Sequence, residues 1–276
     1  MNLSVSDSWI ATERGTLFAR SWEPSERFSD GEETILLLHD SLGCVELWRD
    51  FPAELAVATG RSVVAYDRLG FGRSAVHEGR LSFSFIRDEA AYVVPHLLEA
   101  LRLTRIIPFG HSVGGAIAVA TAAQFPGRCS AVITESAQSF VEDRTLAGVR
   151  AGQAEFKRPD RFERLSRYHG GKASWVLDAW TETWLAPEFA GWKLDDDLRR
   201  VACATLALHG DRDEFGSVKH PERIARLTSG AARAVILEGC GHVPHRENPA
   251  WVLREVTDFL AHCDAVPLHD PFADSR

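Results

Sequence analysis

The stretch Gly110-His111-Ser112-Val113-Gly114 does most to restrict how this chain can fold. It matches G-x-S-x-G, the pattern of a serine held on a sharp turn between a strand and a helix, with its hydroxyl lifted above the end of a sheet. The flanks agree. Arg105-Ile106-Ile107-Pro108-Phe109 reads as a short apolar strand. Residues 113–124 read as a helix of small and apolar side chains, beginning Val113-Gly114-Gly115-Ala116, which lets the helix pack close to the sheet behind the turn.

The rest of the chain alternates between the two element types. Residues 9–12 and 16–22 read as strands around a turn at Glu13-Arg14-Gly15, followed by a polar loop over 24–33. Ile35-Leu36-Leu37-Leu38-His39 is a continuous apolar run, as in a strand buried on both faces. Residues 48–58 carry Phe51, Leu55 and Ala58 at helical spacing. Buried strands follow at 61–66, 131–135, 204–208 and 234–238, with helices at 84–101 and 249–260. Pro95 should kink the first of these helices, whereas Pro249 lies in the first turn of the second, where proline is tolerated. Pro108 is unusual in a central strand, which normally needs that N–H, and marks a candidate bulge. Strands alternating with helices predict an α/β chain with a mostly parallel sheet covered on both faces.

Residues 137–201 break the alternation. They carry helical patterns and four tryptophans, Trp175, Trp180, Trp184 and Trp192. The segment is too long for an ordinary loop. It is expected to form a helical cap between two strands, so that residues 1–136 and 202–263 make one core domain and 264–276 a polar tail.

Bulk properties narrow the function classes. A formal net charge of -8 and a pI near 5.8 argue against general nucleic-acid binding. The five cysteines are scattered with no C-x-x-C pair, which speaks against a zinc site or a disulfide framework. No basic segment leads an apolar one at the N-terminus, and no apolar run approaches the roughly 20 residues that span a bilayer. The expectation is a soluble cytoplasmic protein whose partner is a small-molecule substrate, with no membrane partner; a homo-oligomer stays open.

A neutral serine is a weak nucleophile and needs a base, itself oriented by a third group. His242, in Gly239-Cys240-Gly241-His242 after a predicted strand, is the candidate base, with His245 in reserve. Asp213, just beyond the strand ending at Leu208, is the candidate acid; Asp211 and Glu135, also at strand ends, compete with it. An acid in this role fixes the imidazole tautomer and favours the imidazolium. The backbone N–H groups of Val113, at a helix N-terminus, and of Ser41, in the loop after residues 35–39, would meet a developing oxyanion. His111, Trp180 and Trp184 are candidate lining of a substrate pocket.

With these residues in place, five motifs in order carry a family resemblance. They are Leu38-His39-Asp40-Ser41-Leu42-Gly43, Asp67-Arg68-Leu69-Gly70-Phe71-Gly72-Arg73-Ser74, the Ser112 turn, His209-Gly210-Asp211-Arg212-Asp213, and Gly241-His242 with Glu247-Asn248-Pro249. The chain resembles the cap-bearing α/β-hydrolases, a group that holds carboxylesterases, meta-cleavage C–C bond hydrolases and epoxide hydrolases. The resemblance implies the α/β-hydrolase fold with a helical cap, the chain order Ser112, Asp213, His242, and no cofactor or metal. It implies structural rather than catalytic roles for His39 and the 67–74 turn. One departure is Asp40, where the family usually has glycine. Epoxide hydrolases and dehalogenases of this type place aspartate at the turn; Ser112 points instead to an acyl-enzyme route on a small carboxylic ester. A C–C bond hydrolase or lactonase would share the triad, and a non-catalytic ligand receptor would share the fold.

Overall fold

Ile35, Leu36, Leu37 and Leu38 are all buried, so the strand they form must be covered on both faces. In the computed structural model, which describes residues 3–25 and 33–265, this strand lies inside a single sheet. Among the described residues the sheet has eight strands: β1 (Leu3–Thr12), β2 (Gly15–Pro24), β3 (Glu33–Leu38), β4 (Val63–Asp67), β5 (Arg105–His111), β6 (Ala131–Glu135), β7 (Ala204–Gly210) and β8 (Ala232–Leu237). Their spatial order is β1-β2-β4-β3-β5-β6-β7-β8. β2 runs antiparallel to both β1 and β4, and every other pairing is parallel.

The period of two along each strand sorts the core. Ile35 and Leu37 face a layer built on helices Phe51–Thr59 and Pro249–Ala265, through Phe51, Leu55, Val252 and Val256. Leu36 and Leu38 face the other layer, built on helix Val113–Gln124 and the helical stretch before it, through Val113, Ile117, Val94 and Leu97. Each such aliphatic side chain contributes about 1.5–3 kcal/mol on full burial.

Several expectations are refined. The polar loop placed at 24–33 falls largely on residues 26–32, and most of the tail on residues 266–276, outside the described residues. The final helix runs on to Ala265, past the expected start of the tail. β8, expected to be buried, is the last strand of the described sheet, and Ile236 is exposed. Pro95 does disturb its helix. A π-helical stretch, Glu89–Val93, separates Phe85–Asp88 from Val94–Ala100, because Pro95 offers no N–H to the carbonyl four residues back and its ring crowds that carbonyl. Pro108 stays in unbroken register with β3. On the β6 side, β5 passes from Ile106 to Phe109 while its neighbour passes from Cys129 to Ile133, so that neighbour carries the extra residue. The bulge therefore lies opposite Pro108, where the missing N–H would have bonded.

Between β6 and β7 the chain forms helices Asp143–Glu155, Pro159–His169, Ala173–Trp184 and Asp195–Leu198. Polar contacts tie this insertion to the core. His169 Nδ1 accepts the Gly72 N–H at 2.9 Å and its Nε2–H donates to the Leu42 carbonyl at 3.0 Å. The Lys172 ammonium donates to the carbonyls of Phe71, Gly72 and Ser74. No helix among the described residues is long and apolar enough to cross a membrane.

Candidate active site

Ser112 directly follows β5 and caps helix Val113–Gln124 with φ 55° and ψ -125°. A non-glycine residue at positive φ is strained and persists only where its surroundings fix it. The glycines of the motif explain how. A Cβ on Gly110 would lie 2.0 Å from the Gly114 carbonyl oxygen, and one on Gly114 would lie 2.0 Å from the Leu38 carbonyl oxygen. Only bare backbone lets strand, turn and helix approach this closely.

Asp213 and His242 arrive from the loops after β7 and β8. Asp213 Oδ1 accepts the N–H groups of Phe215 at 2.7 Å and Gly216 at 3.2 Å, which fixes the carboxylate plane. Its Oδ2 accepts Nδ1–H of His242 at 2.8 Å. That bond leaves Nε2 of a neutral His242 as a base. Glu247 holds the histidine loop by accepting the Gly241 N–H at 2.7 Å and the Val243 N–H at 3.0 Å. Burial opposes charge on His242, but Asp213 above all, with Asp40 and Glu214, outweighs it and holds the pKa above the ordinary value. Burial also works against the Asp213 carboxylate; His242 and His209 outweigh it and keep Asp213 below its ordinary value.

The competing acids have other partners. Asp211 Oδ1 accepts the Gly239 N–H at 2.6 Å. Glu135 accepts the backbone N–H of His245 at 2.6 Å and its Nδ1–H at 2.5 Å. Thus His245 and Glu135 pair with each other, apart from the Asp213–His242 pair. His111, expected in the substrate pocket, is absent from the cavity lining. Its Nε2–H donates to the His242 carbonyl at 2.8 Å, so it braces the histidine loop from behind. Burial pushes its pKa down to about 4. His111, Glu135 and His245 bring metal-ligand atoms within 4.8 Å of one another, yet both Glu135 oxygens and the His111 Nε2 are engaged in the bonds just described.

Ser112 and His242 line one cavity of about 90 Å³. Asp40, Ser41, Gln138 and Thr145 complete its polar side, and Leu42, Val149, Trp180, Trp184 and Phe215 its apolar side. Trp180 and Trp184, expected to line a substrate pocket, both line this cavity. Trp175 stacks on His77 and Trp192 on Phe189, as packing residues. Val113 opens its helix, so its N–H has no intrahelical acceptor. The Ser41 N–H has no acceptor among the described residues either. His39 and the 67–74 turn act as scaffolding. His39 Nε2 accepts the Arg68 N–H at 3.1 Å, and Asp67 accepts the N–H groups of Val45 and Arg73, both at 2.6 Å. Asp40 Oδ1 accepts the Leu42 N–H at 3.2 Å, and Oδ2 lies 3.6 Å from His111 Nδ1.

Two polar residues of the cavity, Gln138 and Thr145, belong to no motif of the sequence. Gln138 is 2 % exposed, and its Oε1 accepts the Ser112 hydroxyl at 3.2 Å. In this conformation the serine proton is directed to Gln138 and not to His242. Only its place just beyond β6 could have pointed to it.

With this geometry in hand, comparisons place the chain among known proteins. The model of the alpha/beta hydrolase family matches residues 35–255. The 2-hydroxy-6-oxononadienedioate/2-hydroxy-6-oxononatrienedioate hydrolase of Paraburkholderia xenovorans is 28% identical over 263 residues, covering 84% of this chain and 88% of that protein. Serine hydrolase BPHL of Mus musculus is 28% identical over 247 residues, covering 85% and 81%. The crystal structure of carboxylesterase CesB from Bacillus subtilis superposes with a TM-score of 0.70 at 18% identity, covering 94% of this chain and 92% of that one. That last likeness is one of fold.

Proposed function

Because the chain belongs to the alpha/beta hydrolase family, we propose that it is a serine hydrolase of small, uncharged carboxylic esters. The observation that carries this reading is the 2.8 Å bond from His242 Nδ1 to Asp213, beside a strained Ser112 on the same cavity. After a χ1 rotation toward His242, Ser112 Oγ attacks the ester carbonyl carbon while His242 Nε2 takes its proton. The N–H groups of Val113 and Ser41 receive the oxyanion. The tetrahedral intermediate collapses, His242 protonates the departing alkoxide, and the acyl group remains on Ser112. Water, deprotonated by His242, then attacks the acyl-enzyme and releases the acid. Asp213 holds the tautomer throughout and steadies the imidazolium.

The cavity supports the choice of substrate. Its lining holds one acidic residue, Asp40, and no lysine or arginine. Transfer of an unpaired carboxylate into such a place is costly, so an uncharged ester with a short apolar acyl chain suits it better than an acid. The relative named as a hydrolase of a 2-hydroxy-6-oxo-dienedioate favours the second reading, C–C bond cleavage by the same triad. A lactone would also fit the chemistry.

Purified protein assayed on p-nitrophenyl esters of rising chain length, simple lactones and a 2-hydroxy-6-oxo-dienoate separates these readings. The ester reading expects the highest kcat/KM on short esters, abolished by Ser112→Ala. Preference for the dienoate would overturn it. Failure of a fluorophosphonate to label Ser112 would favour a non-catalytic binder.

A further inference from the structure

Gln138 is fixed more firmly than a cavity-lining side chain requires. Two residues before it, the Ser136 N–H donates to the Leu208 carbonyl at 2.9 Å. Next to it, the Ser139 N–H donates to His220 Nδ1 at 3.1 Å, and the Ser139 carbonyl accepts the Leu194 N–H at 2.9 Å. The Ala137 side chain lies where a Cβ on Gly115 would fall, 2.5 Å away, so the segment is also pressed against the helix behind Ser112. The backbone on both sides is anchored, and the amide is presented to Ser112 from a set position.

A serine hydroxyl has one proton to donate. Here it goes to the Gln138 amide oxygen, which accepts a hydrogen bond but does not remove a proton at neutral pH. A serine held this way is not activated. The other end of the amide has no protein acceptor: Gln138 Nε2 makes no hydrogen bond among the described residues and is not a buried orphan, so it retains access to the cavity that Gln138 lines.

We propose that Gln138 is a substrate-responsive latch on the nucleophile: it keeps Ser112 turned from His242 in the empty site and donates its amide N–H to an oxygen of the bound ester. A substrate entering beside Ser112 supplies that oxygen and displaces the hydroxyl from the amide. Ser112 is then free to rotate toward His242 Nε2. The inference rests on the reading of Ser112 as nucleophile. It adds a specificity element, since an ester without an acceptor oxygen in reach of Gln138 would leave the latch closed.

A small fluorophosphonate tests it because it is attacked by Ser112 without needing the amide. Its phosphorus gains Ser112 Oγ, fluoride leaves, and the hydroxyl proton passes to His242. Gln138→Met keeps the length of the side chain and removes both hydrogen-bonding ends. The expected result is labelling roughly three- to tenfold faster than in the wild type, the range that one neutral hydrogen bond commands. The same variant should lose roughly three- to tenfold in kcat/KM on the preferred ester. Gln138→Glu, compared at pH 8.5, should label more slowly than wild type, because a carboxylate holds the hydroxyl proton more tightly. A purely structural role would slow labelling and turnover together in both variants. Wild type that labels at Ser112 while Gln138→Met labels no faster overturns the latch alone. Absence of labelling in wild type and variants overturns the nucleophile, and the latch with it.

Discussion

Asp213, Asp211 and Glu135 stand at the ends of adjacent strands, and only their hydrogen bonds separate them. Asp213 meets His242, Asp211 meets a backbone N–H, and Glu135 meets His245. Asp213→Asn should lower kcat by a factor on the order of 10³–10⁴, since an amide at this place favours the wrong tautomer. Glu135→Gln should cost about 1–3 kcal/mol of stability by leaving the His245 donors half satisfied, with kcat changed less than by the Asp213 variant. Steady-state kinetics beside urea unfolding of both variants checks the pair, and greater kinetic damage from Glu135→Gln would reverse the assignment. The pH profile follows from the same contact. His242 must be neutral to act as a base, and its pKa is held above the ordinary value, about 6.5. Activity should therefore rise with pH through a midpoint above that value, and Asp213→Asn should move the midpoint of its residual activity downward. A profile unmoved by the substitution would detach the acid limb from this pair.

At the scale of elements, the strand-turn-helix around Ser112 was legible because its constraints are local. Gly114→Ala would set a methyl carbon 2.0 Å from the Leu38 carbonyl oxygen, and backbone cannot move aside as a flexible side chain can. The variant should lose several kcal/mol in urea unfolding and most of its activity. Gly127→Ala meets nothing within 4 Å and should stay within about 0.5 kcal/mol of wild type; equal losses in the two would remove the steric explanation. Pro95 and Pro108 were legible for a similar reason: each lacks one N–H, and the structure answers with a π-helical stretch and with an extra residue in the neighbouring strand. Long-range matters were not legible. The exposure of β8 depends on what pairs beside it, and its apolar residues could not reveal that. His111 sat next to the nucleophile in sequence, yet its ring turned to the His242 loop. Gln138 belongs to no spacing rule, because its partner Ser112 follows the neighbouring strand β5 and lies 26 residues away in the chain.

For the whole molecule, the insertion and the core share one population of buried histidines, and these should set its acid stability. His169 in the insertion and His39 and His209 in the core have pKa values lowered chiefly by burial, while His111 and His220 fall to about 4 for the same first cause. A histidine buried neutral binds its proton more readily in the unfolded chain, so stability falls as pH drops from about 6.5 toward the folded pKa. For His111 alone that loss is on the order of 3 kcal/mol by pH 4. Glu135 and Asp213, whose pKa values are depressed, contribute stability that is complete above their unfolded values and is lost as pH falls through the folded ones. They extend the decline below pH 4. His242 has the opposite sign: its contribution is full below about 6.5 and fades as pH rises through its raised value. The groups facing His111 are Asp40, Glu135, His242 and His245; the carboxyls of Asp40 and Glu135 are held below their ordinary values and His242 above its own. His111→Gln offers an amide N–H to the His242 carbonyl and removes the titrating ring. Urea unfolding at pH 7, 5.5 and 4 should therefore give a shallower fall for His111→Gln than for wild type, with the difference growing toward pH 4. Parallel lines would mean that the His111 ring accepts its proton without cost in the folded protein, and the bracing of the His242 loop through a neutral ring would have to be abandoned.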